Sequence, residues 1–513
     1  MNRRTVKIVA GLLAVVVVMP VALAGLFLVC EHVRGRISLA HYRRELVAKG
    51  EKITPQELVS DRPAGENGAP EIMAAFDDLK KGDVMPSHYP PGMKLTPAGR
   101  AVVGFREDEW VDGKVTYHWD QLADELETNA PALERIRAAL QKPVLDNDLD
   151  HSQGALMRFT HLSRVKQLSQ WFGARAQLEL HNGETHGAAN DLVPQIELVR
   201  ALARDRIIIS ELVRVAIAAI ARTGTWEALQ ADRWSDEDLA TLQKAWENQH
   251  FATGMIDGFR GELVFSEVSY RQCRESNYWA FQMLFGLEAY GEESARPFWE
   301  RTLRLLPKGD TIADFAKEQV YCRIWRFAWL DQNEKRYLGQ VEELLAIMRT
   351  AEAEKSMARA RTALARLEDQ SSRRNLYDRL RHPLTDVAFS LTRCVNRAMR
   401  AETERSIVIC AIAIKRYSLR HGTPPPSLES LVPELLPAVP TDYMAGKPMR
   451  YRRNGDSGFV LYSVGEDEKD DGGDSSLSAG KTSVRNPWDR KDFVWQEAAL
   501  PEEIEAYRQG ARK

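Results

Sequence analysis

The chain has 513 residues, 44% of them hydrophobic and 28% charged, with a formal net charge of -3 at pH 7. That length supports two or three domains around a sizeable core. The near-neutral charge balance gives no general pull toward nucleic acid, and no nucleic-acid partner is expected. Five cysteines without Cys-x-x-Cys or Cys/His spacing exclude a zinc module. Cys273, Cys322, Cys394 and Cys410 stand apart in helical contexts, where burial as free thiols is expected. A Cys273–Cys322 disulfide would require an oxidising compartment and matching geometry.

Residues 1–7 carry Arg3, Arg4 and Lys7 ahead of residues 8–30, a run without charge and with one proline, Pro20. At about 1.5 Å per residue this run crosses a hydrocarbon core of roughly 30 Å, so a single transmembrane signal anchor is predicted. Ala22-Leu23-Ala24 looks like a cleavage site, but Gly25–Cys30 continues apolar beyond it, which favours an uncleaved anchor. Arg34, Arg36, Arg43, Arg44 and Lys49 follow, so basic residues flank both ends. The short basic leader before a first and only apolar segment decides for export: residues 1–7 inside, the bulk of the chain outside.

Residues 31–60 read as a juxtamembrane helix with Leu39, Tyr42, Leu46 and Val47 at helical spacing. Residues 61–104 are rich in Pro and Gly and read as a linker, apart from an amphipathic turn at Glu71–Leu79. Glu107–Trp119 predicts a hairpin around Asp112-Gly113. Residues 105–382 form a helical domain. Phe159–Leu180 places Leu162, Val165, Leu168, Phe172 and Ala176 on one face. Gly187–Arg204 places Leu192, Ile196, Val199 and Leu202 likewise, across a His181–Glu184 turn. Ile207–Arg222 is a buried core helix, since Glu211 and Arg214 interrupt an apolar run too short for a membrane. Ser235 and Asp238 open a further helix. No strict repeat period is present, so the arrangement is helical-repeat-like. Gln340–Leu367 carries a stripe of Val341, Leu344, Leu345 and Met348. Residues 383–495 comprise a long helix, apolar on all sides over Ile407–Ile414, and a β-head; residues 496–513 are a tail. In the head, Met449–Arg453 and Phe459–Val464 flank a turn at Asn454-Gly455 and Gly458.

Ala401–Asp474 resembles the C-terminal domain of the major pseudopilin of type II secretion systems. The likeness rests on the helix end Ala413–Gly422, the proline turn, the short helix Ser427–Val432, Asp442-x-x-x-Gly446-Lys447-Pro448, a strand with Tyr451, and Leu461-Tyr462-Ser463-Val464-Gly465. The chain departs from that family in lacking the prepilin-peptidase site with Phe and Glu at the start of the apolar helix, so a filament subunit is not expected. Glu66–Pro70, Ala74-Ala75-Phe76 and Leu198–Ile217 are similar to a group of membrane-anchored helical proteins of bacterial envelopes. The expected fold class is mainly α: an N-terminal transmembrane helix, a helical-repeat-like α domain, and a small C-terminal α+β pseudopilin-like head with a short antiparallel sheet. The resemblance implies a bacterial inner membrane location, single-pass, with the bulk of the chain periplasmic.

The loop after the last strand holds Glu466, Asp467, Asp470, Asp471 and Asp474 with Gly465, Gly472 and Gly473. Calcium takes six to eight hard oxygens, and such a loop supplies them. Lys469 excludes an EF-hand. The pseudopilin resemblance implies Ca2+ here, with Asp467, Asp470, Asp471 and Asp474 as metal ligands; the alternative is a solvated acidic turn. His181 and His186, five residues apart across a turn, fit polar turn residues better than a metal pair. Glu262 and Glu267 are a paired-carboxylate candidate without an attendant nucleophile, and Arg260 is expected to pair with Glu262 or a neighbour. Trp279, Trp299, Trp325, Trp329 and Phe281 suit core packing or a groove for a peptide or envelope polymer. No catalytic motif is present. The expected function is a structural or interaction role, as a scaffold holding a protein or envelope-polymer partner near the membrane in a secretion-related setting. The alternative is an envelope hydrolase assembled from dispersed carboxylates such as Glu262 and Glu267.

Overall fold

The computed structural model describes residues 18–59, 65–89, 92–96, 99–112, 115–285, 320–384, 390–455, 458–478, 480 and 487–511. The chain is mainly helical with small antiparallel sheets. The predicted helix hairpin is present as Thr160–His181 and Thr185–Glu197, the second helix ending early in a 3-10 turn at Arg200–Leu202. All the hydrophobic positions named for both faces are buried. The following helices are Ile208–Leu229 and Asp236–Glu247. Ser235 caps the latter: its Oγ accepts from the Asp238 amide at 3.0 Å and donates to the Asp238 carboxylate at 2.7 Å.

Glycines set the approach of the Phe251–Glu275 helix to this bundle. A Cβ at Gly261 would fall 1.6 Å from the Arg206 carbonyl oxygen, so only glycine lets the helix lie against that loop. Gly254 faces the buried Glu211–Arg214 pair, joined at 2.6 Å. Arg214 also donates to the Val199 carbonyl at 3.0 Å, which ties the Ile208–Leu229 helix to the preceding turn. Gly261→Ala is therefore expected to lower stability by about 2 kcal/mol, because the blocking atom is backbone. Denaturant unfolding checks this, and an unchanged midpoint would show that the Arg206 loop yields freely.

The Thr392–His421 helix is the centre of the molecule, packing on Ile208–Leu229, Asp236–Glu247, Phe251–Glu275 and Leu330–Glu354. Its apolar run Ile407–Ile414 is buried throughout, as the all-round hydrophobicity predicts. The C-terminal sheet pairs Arg450–Asn454 with Gly458–Ser463 in the register Tyr451↔Leu461, and Phe493–Val494 adds a third strand. Asp442 closes this unit. Its buried carboxylate accepts from Ser463 Oγ at 2.8 Å, the Met444 amide at 2.9 Å and the Val464 amide at 3.1 Å. Gly446, at φ +66, sits where a Cβ would meet Ser356 at 2.7 Å, and the Met357 amide donates to Tyr443 O at 2.9 Å. These contacts join the sheet to the helical body in one hydrophobic core that runs from Leu39 to Trp495.

The stretch read as a linker is packed where it is described. Ala69–Asp77 is helical, and Ile72, Ala75, Val84, Met85 and Ala101 are buried. Its backbone has partners: Glu125 accepts from the Val84 and Met85 amides at 2.8 Å, and Asn129 from Lys80 N at 2.7 Å. Prolines and glycines there wrap the chain over the Trp119–Leu140 helix, where an irregular path buries apolar groups without a sequence period. The hairpin before that helix has the register Trp110↔Tyr117, Asp112↔Val115; Gly113 lies outside the described residues. The tail also packs, the Ala499 amide donating to Ala101 O at 2.7 Å.

The first helix, Met19–Ala48, has two unlike halves. Gly35, Leu39 and Leu46 are buried against the Leu330–Glu354 helix and the turn before it. Val47, expected on the same stripe, is exposed. From Val18 to Cys30 every side chain is exposed except Leu28, which is half-buried. No helix among the described residues is long and apolar enough to cross a membrane. Residues 8–17 of the expected span lie outside them, so the transmembrane helix is not among the elements described.

Candidate functional site: a basic cleft beside the first helix

A π-helical turn, Trp325–Trp329, precedes the Leu330–Glu354 helix. The turn sends Trp325, Ala328 and Trp329 into a second apolar cluster with Tyr270, Cys273, Ala280 and Cys322. The expected aromatic stretch is thus core at Trp325 and Trp329, and Trp299 lies outside the described residues. Arg323, Arg326 and Phe327 are left facing the first helix. His32 stacks on Phe327 at 4.8 Å between ring centroids, and its Nδ1 lies 2.7 Å from Phe327 O, which pins the turn to that helix.

Between them lies a cavity of about 970 Å³. The first helix contributes His32, Arg36, Arg43 and Arg44; the other wall holds Arg274, Asn277, Arg323, Arg326 and Phe327, with Asp331 as the single acidic lining residue. The six arginines fall into two sets. Arg43 and Arg274 are matched by acids: both pair with the fully buried Glu334, Arg43 also with Glu267 at 3.4 Å, and Arg274 with Asp331 at 2.7 Å. Burial raises the Glu334 carboxyl above its ordinary value, against the pull of both guanidiniums. The other four have no acidic partner among the described residues. Arg326 donates to Asn277 Oδ1 at 2.7 Å and to Arg274 O at 2.5 Å, and Arg44 to Ala40 O at 3.2 Å. Arg36 and Arg323 are exposed. The cleft thus keeps an excess of cationic side chains with neutral partners, a surface suited to binding an anion.

The paired-carboxylate candidate is dispersed. Glu262 accepts from Tyr337 OH at 2.7 Å, whereas Glu267 faces Arg43 and Arg271. Arg260 pairs with Asp257 at 2.8 Å, a neighbour, as one branch of the expectation had it. His181 stacks on Trp119 and approaches Phe105 O at 2.9 Å, while His186 pairs with Asp238 at 2.8 Å. Cys273 and Cys322 are free and buried, and burial pushes the Cys273 thiol up to about 12.

Three of the four aspartates of the acidic loop have partners of their own. Asp470 pairs with Arg450 at 2.6 Å and accepts from Tyr462 OH at 2.9 Å. Asp474 pairs with Lys491 at 2.8 Å, which holds its carboxyl down to about 2. Asp467 accepts from the Lys469 amide at 3.1 Å. Among the described residues no group of three His, Cys, Asp or Glu side chains is placed to hold a metal ion.

The signal for the cleft was half visible in sequence. Arg36, Arg43 and Arg44 stood out as a basic flank, but Arg323 and Arg326 were hidden behind the tryptophans they alternate with. No protein-family model, curated protein or solved structure matches the chain.

Proposed function

We propose that this protein is a membrane-anchored structural or interaction protein of the bacterial envelope, holding a partner or assembly close to the bilayer. The observation that carries the reading is the first helix. Its exposed apolar start, Val18–Cys30, continues the charge-free run from Ile8, and a monomeric soluble protein rarely leaves so long an apolar surface in water. Its later turns are bound into the body. Gln332 donates to the Glu31 carbonyl at 2.8 Å, and Arg349 pairs at 2.6 Å with Glu51, just past the end of the helix. A helix so fixed at one end holds the body at a set distance and angle from the membrane, which is what a scaffold requires. The cavity beside the first helix is lined by six arginines and one acid, a composition that favours binding over the hydrolytic alternative.

The chain is expected to stay with membranes through a carbonate wash, and a variant lacking residues 8–30 to be released. A phosphatase fused after residue 60 is expected to be active, placing the body on the periplasmic side. Release of the full chain by carbonate would remove the anchor, and an inactive phosphatase with an active cytoplasmic reporter would reverse the orientation.

A further inference from the structure

We propose that the basic cleft between the first helix and the Trp325–Trp329 turn binds the phosphate headgroup of an anionic phospholipid. The inference rests on the anchored reading for its setting and on the cleft for its chemistry. Four arginines, Arg36, Arg44, Arg323 and Arg326, line the cavity without acidic partners among the described residues, so their charge is available to a ligand. Guanidinium groups offer planar forks of donors that match phosphate oxygens, and several around one cavity suit an anion with more than one acceptor.

Position selects a lipid over a free anion. The cleft starts at His32, two residues past Cys30, where the charge-free run ends. Three apolar side chains near that level are exposed: Val33 at 49%, Ile37 at 66% and Phe327 at 47%. A soluble anion gains nothing from such neighbours. A phospholipid places its phosphate among arginines while its acyl chains lie along the apolar start of the helix. Basic pockets at this depth, beside apolar anchoring residues, are what headgroup recognition requires. The paired set, Arg43 and Arg274 with Glu334 and Asp331, forms a neutral floor that fixes the walls without competing for the ligand.

The test uses the full chain in neutral detergent, titrated with short-chain phosphatidylglycerol, short-chain phosphatidylcholine or inorganic phosphate and followed by tryptophan fluorescence. Phosphatidylglycerol is expected to bind at least about ten-fold more tightly than either of the others. Arg36→Gln and Arg323→Gln, both at exposed side chains, are each expected to weaken it about five-fold, the factor equivalent to ~1 kcal/mol per basic side chain near an anionic surface. The same chain in phosphatidylcholine nanodiscs is expected to melt higher when phosphatidylglycerol is included, and the double variant to lose that increment. Equal affinity for phosphatidylglycerol and phosphatidylcholine, or equal affinity for inorganic phosphate, would overturn the proposal. So would full phosphatidylglycerol binding by the folded double variant. Failure of the anchor appears separately, as release by carbonate, and leaves the detergent titration to decide the cleft.

Discussion

Glu334→Ala is expected to lower the stability of the protein by ~3–5 kcal/mol, the range for removing one partner from a buried ion network. Glu334 is fully buried and meets guanidinium groups from two other helices, Arg43 of the first and Arg274 of Phe251–Glu275. Arg43 Nε lies 3.0 Å from Glu334 Oε1, and Arg274 is shared with Asp331. Alanine would leave two positive charges facing one another across a vacated site, with Glu267 and Asp331 each still paired to one arginine but neither bridging the two. Glu334→Gln keeps an accepting oxygen and should lose less. Denaturant unfolding of both variants is the measurement, and a loss below about 1 kcal/mol for alanine would mean that water already solvates the pair. The same network fastens the first helix to the body, so the alanine variant should also expose that helix to protease.

The second large effect is a pH dependence at Glu227. This carboxylate is 5% exposed, receives the Gly104 amide at 2.9 Å on each oxygen, and has no ion-pair partner among the described residues. Burial pushes its pKa up to about 7 from the ordinary 4.5, the backbone donors at Gly104 and Phe105 opposing the rise. A carboxyl whose pKa is raised by folding binds its proton more tightly in the folded state. The stability it contributes is therefore full below about 4.5 and is lost as the pH climbs through about 7. The wild-type advantage over Glu227→Gln should shrink by about 3 kcal/mol across that window. The comparison must be with the variant, because His382 titrates the other way. Burial holds its imidazole down to about 3, so its contribution is lost as the pH falls. A pH-independent gap between wild type and variant would show that folding leaves the Glu227 pKa unshifted.

What could be read in advance followed the reach of each signal. The helix hairpin was legible because every face-forming residue has its neighbour three or four positions away. The Ser235 cap and the Asn454-Gly455 turn were legible for the same reason: donor and acceptor, or strand and strand, are close in sequence. Beyond the amphipathic turn at Glu71–Leu79, the burial of Val84, Met85 and Ala101 was not legible because these residues carry no period. They are buried by distant helices, and composition alone does not name those partners. In the acidic loop, the pairing of Asp470 with Arg450 from the neighbouring strand and of Asp474 with Lys491 beyond the loop could not be read from the clustering of aspartates in sequence.

From the sequence alone came the helical character, the apolar run ahead of the body, and the buried helix at Ile407–Ile414, all encoded in side-chain spacing along one segment. Tertiary structure alone decided which charges are matched and which are left over. Arg36 and Arg323 lie far apart in the chain and line one cavity because the first helix packs closely on Gln332 at Gly35 and the π-helical turn points its tryptophans inward. Local periodicity selects the face a helix buries. The Coulomb field of a cleft depends on which faces are left opposite one another when packing is done.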